Sequence, residues 1–150
     1  MNLKIKEFKN IKPVIAKDVF VADGAKIIGD VKISSGSSVW YNCVIRGDVN
    51  NVKIGTKTNI QDGTVIHVSS HGFSATGDKG SPTFIGNNVT IGHNATVHAC
   101  NIKDNVLIGM GSVILDRCIV HELALVAAGA VLPPGTLIKK VNYGQEIQLD

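Results

Sequence analysis

Three histidines are the residues of this sequence whose type and spacing could do chemistry. His67 ends the run Asn-Ile-Gln-Asp-Gly-Thr-Val-Ile-His, and His93 and His98 lie in the run Ile-Gly-His-Asn-Ala-Thr-Val-His. Three imidazoles on a rigid scaffold are the ligand set of an open, catalytic zinc site. Imidazole also suits cobalt and ferrous iron, so the residues predict a metal site, with zinc as the first candidate, without naming the metal.

The scaffold is indicated by an aliphatic residue that recurs every six residues. A small or apolar residue often follows four positions later, as at Ala25, Val31, Cys43 and Val49. This period fits neither an amphipathic helix nor the variable strands of a sandwich. The lead aliphatic residues are Ile15, Val21, Ile27, Ile33, Val39, Ile45, Ile54, Ile60, Ile66, Ile85, Ile91, Val97, Ile102, Ile108, Ile114, Val120, Val126, Leu132 and Ile138.

Six residues make one short strand and one corner, so three hexapeptides close a triangular coil. Such coils stack at the ordinary interstrand spacing of about 4.8 Å. The sequence therefore predicts an all-β protein, a parallel β-helix of about six coils over residues 10–138. We expect one domain over residues 1–150, with a protruding loop at 69–82 and a short C-terminal tail at 139–150.

Composition excludes several classes of function. The net charge is only +3, without a basic run, and seven aromatic residues (one Trp, two Tyr, four Phe) offer no base-stacking platform, so we expect no nucleic-acid partner. No apolar run reaches the ~20 residues of a membrane span, and the N-terminus does not read as a signal peptide, which predicts a cytoplasmic protein. Three cysteines without a CxxC pair argue against disulfides; Cys43 and Cys118 are predicted core residues, and Cys100 has no assigned role.

The period places two of the histidines together. His67 and His98 each follow a lead aliphatic residue by one, and the 31 residues between them equal one coil plus the protruding loop. They should therefore stack about 4.8 Å apart on neighbouring coils. His93 lies five residues before His98, roughly 10 Å or more away around a corner. A threefold homotrimer would let His93 of one chain complete the site of the next.

The alternative for any one of these histidines is a surface residue without a function. Three at matched positions make that interpretation weaker. His71, in the loop, and His121 are interpreted as residues without a role in the site.

The sequence resembles the γ-class carbonic anhydrases, a family of hexapeptide-repeat proteins, over about residues 10–138. That resemblance implies a left-handed β-helix, a homotrimer, and two metal histidines from one subunit with the third from its neighbour. The matching runs are Val39-Trp40-Tyr41-Asn42, Ile45-Arg46-Gly47-Asp48, Asn59-Ile60-Gln61-Asp62-Gly63, Val65-Ile66-His67 and Ile91-Gly92-His93 through His98.

The resemblance also implies roles for four further residues. Arg46 and Asp48 correspond to a pair that makes a contact across the trimer interface, and this pair could be purely structural. Gln61 would orient hydroxide or substrate, and Asn59 would hold that geometry from behind. Corner capping through backbone hydrogen bonds is the alternative role for Asn59 and Gln61.

The function implied is the reversible hydration of carbon dioxide to bicarbonate. The metal lowers the pKa of its water toward ~7, and the resulting hydroxide attacks carbon dioxide. Two features depart from the best-studied family members: the loop at 69–82 has no glutamate, and the family's C-terminal Gly-Asn-Pro-Ala signature is missing.

Two other functions compete with this one. A hexapeptide-repeat acyltransferase shares the fold and uses one histidine as a general base, but has no reason to hold three in metal register. A non-catalytic metal-binding or assembly protein is the third interpretation. Metal content separates the acyltransferase from the hydratase, and carbon dioxide hydration separates the assembly protein from it.

Overall fold

The chain is an all-β parallel β-helix. The computed structural model describes residues 4–72 and 79–140, and the strands stack into about seven turns. Residues 73–78 of the predicted loop and 141–150 of the predicted tail lie outside the described residues. Over the described ranges, no helix is long and apolar enough to cross a membrane.

Eighteen strands, numbered in chain order, form three ladders of parallel pairs. The first ladder contains β1 (Ile5–Lys6), β4 (Lys26–Ile33), β6 (Val44–Ile54), β8 (Val65–His67), β11 (Thr96–His98), β14 (Val113–Ile114) and β17 (Val131–Leu132). The second contains β2 (Val14–Ile15), β9 (Thr83–Ile85), β12 (Asn101–Ile102), β15 (Ile119–Val120) and β18 (Leu137–Ile138). The third contains β3 (Phe20–Val21), β5 (Ser38–Val39), β7 (Asn59–Ile60), β10 (Thr90–Ile91), β13 (Leu107–Ile108) and β16 (Leu125–Val126). The long strands β4 and β6 continue from the first ladder into the second.

The register of the ladders follows the lead aliphatic residues. Ile45 pairs with Ile66, and Val97 pairs with both Ile66 and Ile114, although these steps span different numbers of residues. Most lead residues are fully buried and form one continuous core. The predicted β-helix is therefore confirmed, and the irregular steps are absorbed at its corners.

The residues four positions after the lead aliphatics mostly point inward, as predicted. Cys43 and Cys118 are completely buried, which confirms them as core residues. The prediction for Val49 is wrong, because its side chain is 44% exposed and Val52 takes the inward position. The physical reason is a bulge in β6 that adds residues opposite Asp30 before the pairing resumes at Val52. Cys100 is also buried, and burial raises the pKa of its thiol far above the ordinary range.

Some inward positions carry hydroxyl groups, which satisfy corner carbonyl groups of the next coil. A buried carbonyl without a partner would be costly, so each such hydroxyl stabilises a corner. These hydrogen bonds join Ser37 Oγ to Gly55 O (2.8 Å), Thr58 Oγ1 to Gly86 O (2.7 Å) and Thr64 Oγ1 to Gly92 O (3.0 Å).

The Thr64→Val variant should lower the free energy of unfolding by about 1–3 kcal/mol, because it leaves the Gly92 carbonyl buried without its donor. Thr64 is fully buried, so valine fits the space without supplying a hydrogen bond. Urea denaturation at a fixed protein concentration measures the change. Thr90→Val, on the outward side of β10, is the matched control and should be nearly neutral. Equal effects of both substitutions would contradict this role of the Thr64 hydroxyl.

The predicted loop closes on itself at its base. The Ser69 backbone N–H donates to Ser81 O at 3.1 Å, and the Ser81 N–H donates to Ser69 Oγ at 2.9 Å. The Thr83 hydroxyl then donates to His67 O at 2.5 Å. The excursion therefore leaves the β-helix and re-enters it beside His67 without disturbing the stacking of the coils.

Candidate metal centre

His67 and His98 lie side by side on the first ladder. They are paired residues of β8 and β11, which confirms the predicted stacking on neighbouring coils. Their ring centroids are 5.2 Å apart, and His67 Nδ1 lies 3.3 Å from His98 Nε2. Both rings are largely covered, with 20% and 30% of the side chains exposed.

A carboxylate holds the opposite nitrogen of each ring. His67 Nε2 is 2.8 Å from Asp48 Oδ1, and His98 Nδ1 is 2.5 Å from Asp116 Oδ1. Because a carboxylate only accepts hydrogen bonds, each neutral ring places its N–H toward the aspartate. The two remaining lone pairs, on His67 Nδ1 and His98 Nε2, then face each other.

Two lone pairs in this arrangement repel unless an electrophile lies between them. Nitrogen ligands at ~2.0–2.1 Å from a tetrahedral zinc ion are about 3.3–3.4 Å apart. The separation of 3.3 Å between the His67 and His98 nitrogens is therefore that of two ligands on one metal ion. Aspartates behind metal-binding histidines are the usual outer partners of such ligands. The donor set fits a metal.

The electrostatics of the His67 ring agree with a ligand role. Burial lowers the pKa of His67, and the hydrogen bond to Asp48 offsets this only in part, so the neutral ring is favoured at neutral pH. Burial raises the pKa of Asp48, but hydrogen bonds with His67 and Arg46 outweigh it and hold that pKa below its ordinary value. The carboxylate therefore stays charged while the imidazole stays neutral.

The bulge of β6 places Arg46 and Asp48. Gly47 pairs with Gly29, and a Cβ atom on Gly47 would lie 2.3 Å from the Asp30 carbonyl oxygen, so only glycine fits. Arg46 Nη1 donates to Asp48 Oδ2 within the same chain. The resemblance implied a contact of this pair across the trimer interface, whereas here it links the two residues of one chain and supports His67.

His93 belongs to a different edge of the β-helix. It follows β10 on the third ladder, and its Nδ1 lies 3.0 Å from Asp62 Oδ2, with 45% of its side chain exposed. Across the part of the chain that the structure describes, no three His, Cys, Asp or Glu side chains are grouped to hold one metal ion. One chain thus contains a two-histidine half-site and a separate one-histidine half-site.

Gln61 and Asn59 lie on the same edge as His93. They belong to or follow β7, which pairs with β10. The Gln61 backbone closes the corner, donating to Ile91 O at 3.0 Å, whereas its side-chain amide has no hydrogen-bond partner among residues 4–72 and 79–140. Asn59 Oδ1 accepts from Ser38 Oγ at 3.0 Å, so part of its side chain is structural.

The groove around His67 and His98 is half apolar. Val49, Leu115 and Pro134 line it together with Ser69 and Ser70 from the base of the loop. In the described ranges, neither His93, Asn59 nor Gln61 lines it. The predicted site residues therefore fall into two groups: Arg46, Asp48, His67 and His98 in this groove, and Asn59, Gln61 and His93 on the other edge.

Sequence reasoning missed the carboxylates of Asp62 and Asp116. The signal was available in the spacing. Asp62 precedes His93 by 31 residues, the same step that separates His67 from His98, and Asp116 follows His98 by 18 residues, one regular coil. The same step of 31 residues thus joins two pairs of stacked side chains.

Comparison with known proteins places this architecture in a family. A solved hexapeptide transferase family protein from Anaplasma phagocytophilum superposes with a TM-score of 0.83 and 38% identity over 93% of this chain and 77% of that one. The mitochondrial γ carbonic anhydrase 2 of Arabidopsis thaliana is 50% identical over 84% of this chain and 44% of the relative. The chain belongs to the γ-carbonic anhydrase-like family of hexapeptide-repeat proteins.

Other comparisons agree on the family and add a second description. A probable carbonic anhydrase of Methanocaldococcus jannaschii is 52% identical over 67% of this γ-carbonic anhydrase-like chain and 58% of the relative. A family model described as dynactin subunit 5 matches residues 13–144, and the chain belongs to that family as well. The chain spans about half the length of the first curated relatives it matches.

Proposed function

We propose that this protein hydrates carbon dioxide reversibly to bicarbonate at metal sites between the subunits of a homotrimer. The observation that carries the proposal is the pair of lone pairs on His67 and His98, 3.3 Å apart and each backed by a carboxylate. His93 of a neighbouring subunit is the third ligand, because the remaining predicted histidine lies on another edge of the same β-helix.

The metal held by these three histidines supplies Lewis-acid activation of water at neutral pH. Zinc is the first candidate, and iron or cobalt suits the same imidazoles. Asp48, Asp62 and Asp116 each hold the outer nitrogen of one ring and leave the other nitrogen for the metal.

The Gln61 amide acts on the substrate. Carbon dioxide is uncharged, and negative charge develops on its oxygens as a water oxygen adds to its carbon. A donor aimed at that charge stabilises the transition state. The Gln61 side chain is free of partners within the described part of its own chain, so its N–H groups can serve a site shared with a neighbour. Asn59, held by Ser38, fixes the same edge from behind.

The groove suits a small apolar substrate. Val49, Leu115 and Pro134 form its apolar part and offer carbon dioxide a surface without competing hydrogen bonds. Arg46 does not need to touch the substrate, since it already donates to Asp48 and so supports His67. In a trimer the exposed part of its guanidinium is available to the neighbouring subunit.

The trimer and the cellular location are parts of the same proposal. A homotrimer brings the first ladder of one chain against the third ladder of the next, which joins the two half-sites three times over. We propose the cytoplasm as its location on the basis of the N-terminal sequence, while the name of the Arabidopsis relative places that protein in mitochondria.

Two observations favour other functions. The match to a model described as dynactin subunit 5 favours a subunit of an assembly, in which the same metal site would be structural. The similarity to a hexapeptide transferase family protein favours an acyltransferase. An acyltransferase needs one histidine as a base, and leaves unexplained why three histidines each have an aspartate on one nitrogen.

The proposal is tested by anaerobic purification, metal analysis and a carbon dioxide hydration assay on the same sample. We expect about one metal ion per chain, in a trimer, and hydration that disappears with chelation and returns with zinc, cobalt or iron. A metal-loaded trimer without hydration would favour the assembly function. A metal-free protein that transfers acyl groups from a thioester would favour the acyltransferase.

A further inference from the structure

We propose that Asp116 is a positioning residue that turns His98 so that Nε2, and not Nδ1, faces the metal. This inference rests on the proposed metal site and adds a residue to it. Its basis is the contact of 2.5 Å between Asp116 Oδ1 and His98 Nδ1, in which the Asp116 side chain is only 21% exposed.

A shortened corner explains how Asp116 reaches His98. Val97 and the next lead aliphatic, Ile102, are five residues apart instead of six. Beneath this corner, the Arg117 backbone N–H donates to Ala99 O at 2.7 Å. The coil from Val97 to Ile114 is therefore one residue short of a full turn. The second residue after Ile114, which is Asp116, thus contacts the first residue after Val97, which is His98.

The effect of this contact on His98 is chemical as well as steric. A neutral imidazole carries its proton on either nitrogen, and the hydrogen bond made by one nitrogen decides which one. The carboxylate of Asp116 can only accept, so the proton is held on Nδ1 and the Nε2 lone pair points at His67 Nδ1. Without Asp116, His98 would be free to protonate Nε2 and rotate away.

A second aspartate provides a matched control. Asp104 is the second residue after Ile102, just as Asp116 is the second residue after Ile114. Asp104 Oδ1 accepts from the Asn87 backbone N–H at 2.8 Å and therefore closes a corner far from the histidine pair in the ladder order. The two aspartates share a repeat position and differ in whether a histidine lies above them.

The experiment measures cobalt affinity and the state of the His98 ring. Cobalt(II) affinity of the intact protein is measured by competition with a chromophoric chelator for Asp116→Ala, Asp116→Asn and Asp104→Ala. Loss of an outer partner of a metal ligand costs about 10- to 100-fold in affinity, and we expect that loss for Asp116→Ala and a smaller one for Asp116→Asn. Asp104→Ala should keep the wild-type affinity.

Nitrogen NMR of the metal-free protein provides a readout that does not depend on metal or turnover. In the wild type, His98 should be protonated on Nδ1, and both Asp116 variants should gain the Nε2-protonated form. Folded Asp116 variants with wild-type affinity and a wild-type His98 ring would overturn the inference, and Asp116→Asn decides the matter if Asp116→Ala does not fold. A wild type that binds cobalt but fails to hydrate carbon dioxide would refute the proposed function alone.

Discussion

Neither His67→Ala nor His93→Ala should bind metal as a homotrimer, yet a mixture of the two, unfolded and refolded together, should recover part of the metal. Each homotrimer lacks one ligand at every site, and this should cost more than the roughly 10- to 100-fold affinity loss that follows removal of an outer-shell partner. In a mixed trimer, one interface combines the intact half-sites of both chains.

The geometry of the single chain sets this expectation. His67 and His98 approach to 3.3 Å on the first ladder, while His93 lies on the edge of the third ladder beside Asp62. The His93→Ala chain keeps the pair, and the His67→Ala chain keeps the single histidine. A ring of three subunits of two kinds has one junction in the order that joins these two intact half-sites.

The measurement is metal content and hydration after separation of mixed trimers by a charge tag on one of the two chains. The control is His121→Ala, which removes a histidine of the second-ladder corner outside the proposed site and should bind metal normally before and after refolding. Mixed trimers that remain empty would refute the shared site. Full metal in either homotrimer would refute it as well, since one of the three histidines would then be dispensable.

The fold could be predicted from the sequence because its period is enforced by the core. A residue such as Ile66 repeats at a fixed step and must point inward, so one side-chain position fixes the register of a whole coil. Where the step changes, the prediction weakens. Val49 was expected inside and is exposed, because the sequence marks an insertion after Ile45 without stating which of its residues returns to the core.

The candidate site was partly predictable for a related reason. The spacing of His67 and His98 follows from whole coils, and their contact is confirmed. The partnership of Asp48 with His67 depends on how the chain bulges, and that of Asp116 with His98 depends on a shortened corner. Side-chain contacts formed at irregular corners are set by local backbone geometry, which a period of six does not encode. The metal role of all three histidines stays a prediction.

Gln61→Ala should lower the turnover of carbon dioxide hydration by about 10²- to 10³-fold, the effect of removing one donor that stabilises charge in a transition state. Metal content and melting temperature should change little. The reason is that the corner at Gln61 is closed by its backbone, through hydrogen bonds with Ile91 O and from the Thr64 N–H. Alanine keeps both of these backbone hydrogen bonds.

Asn59→Ala is the comparison that separates an effect on catalysis from an effect on folding. Asn59 Oδ1 accepts from Ser38 Oγ, which itself accepts from Trp40 Nε1, so its loss should lower the free energy of unfolding by about 1 kcal/mol. Its effect on turnover should be smaller than that of Gln61→Ala, because this oxygen is already engaged within its own chain. The two variants are compared by initial hydration rates per bound metal and by thermal unfolding of the metal-loaded trimer. If Gln61→Ala instead lost metal and stability in proportion to activity, its side chain would be a structural element of the corner, and the amide would have no part in stabilising the charge on carbon dioxide.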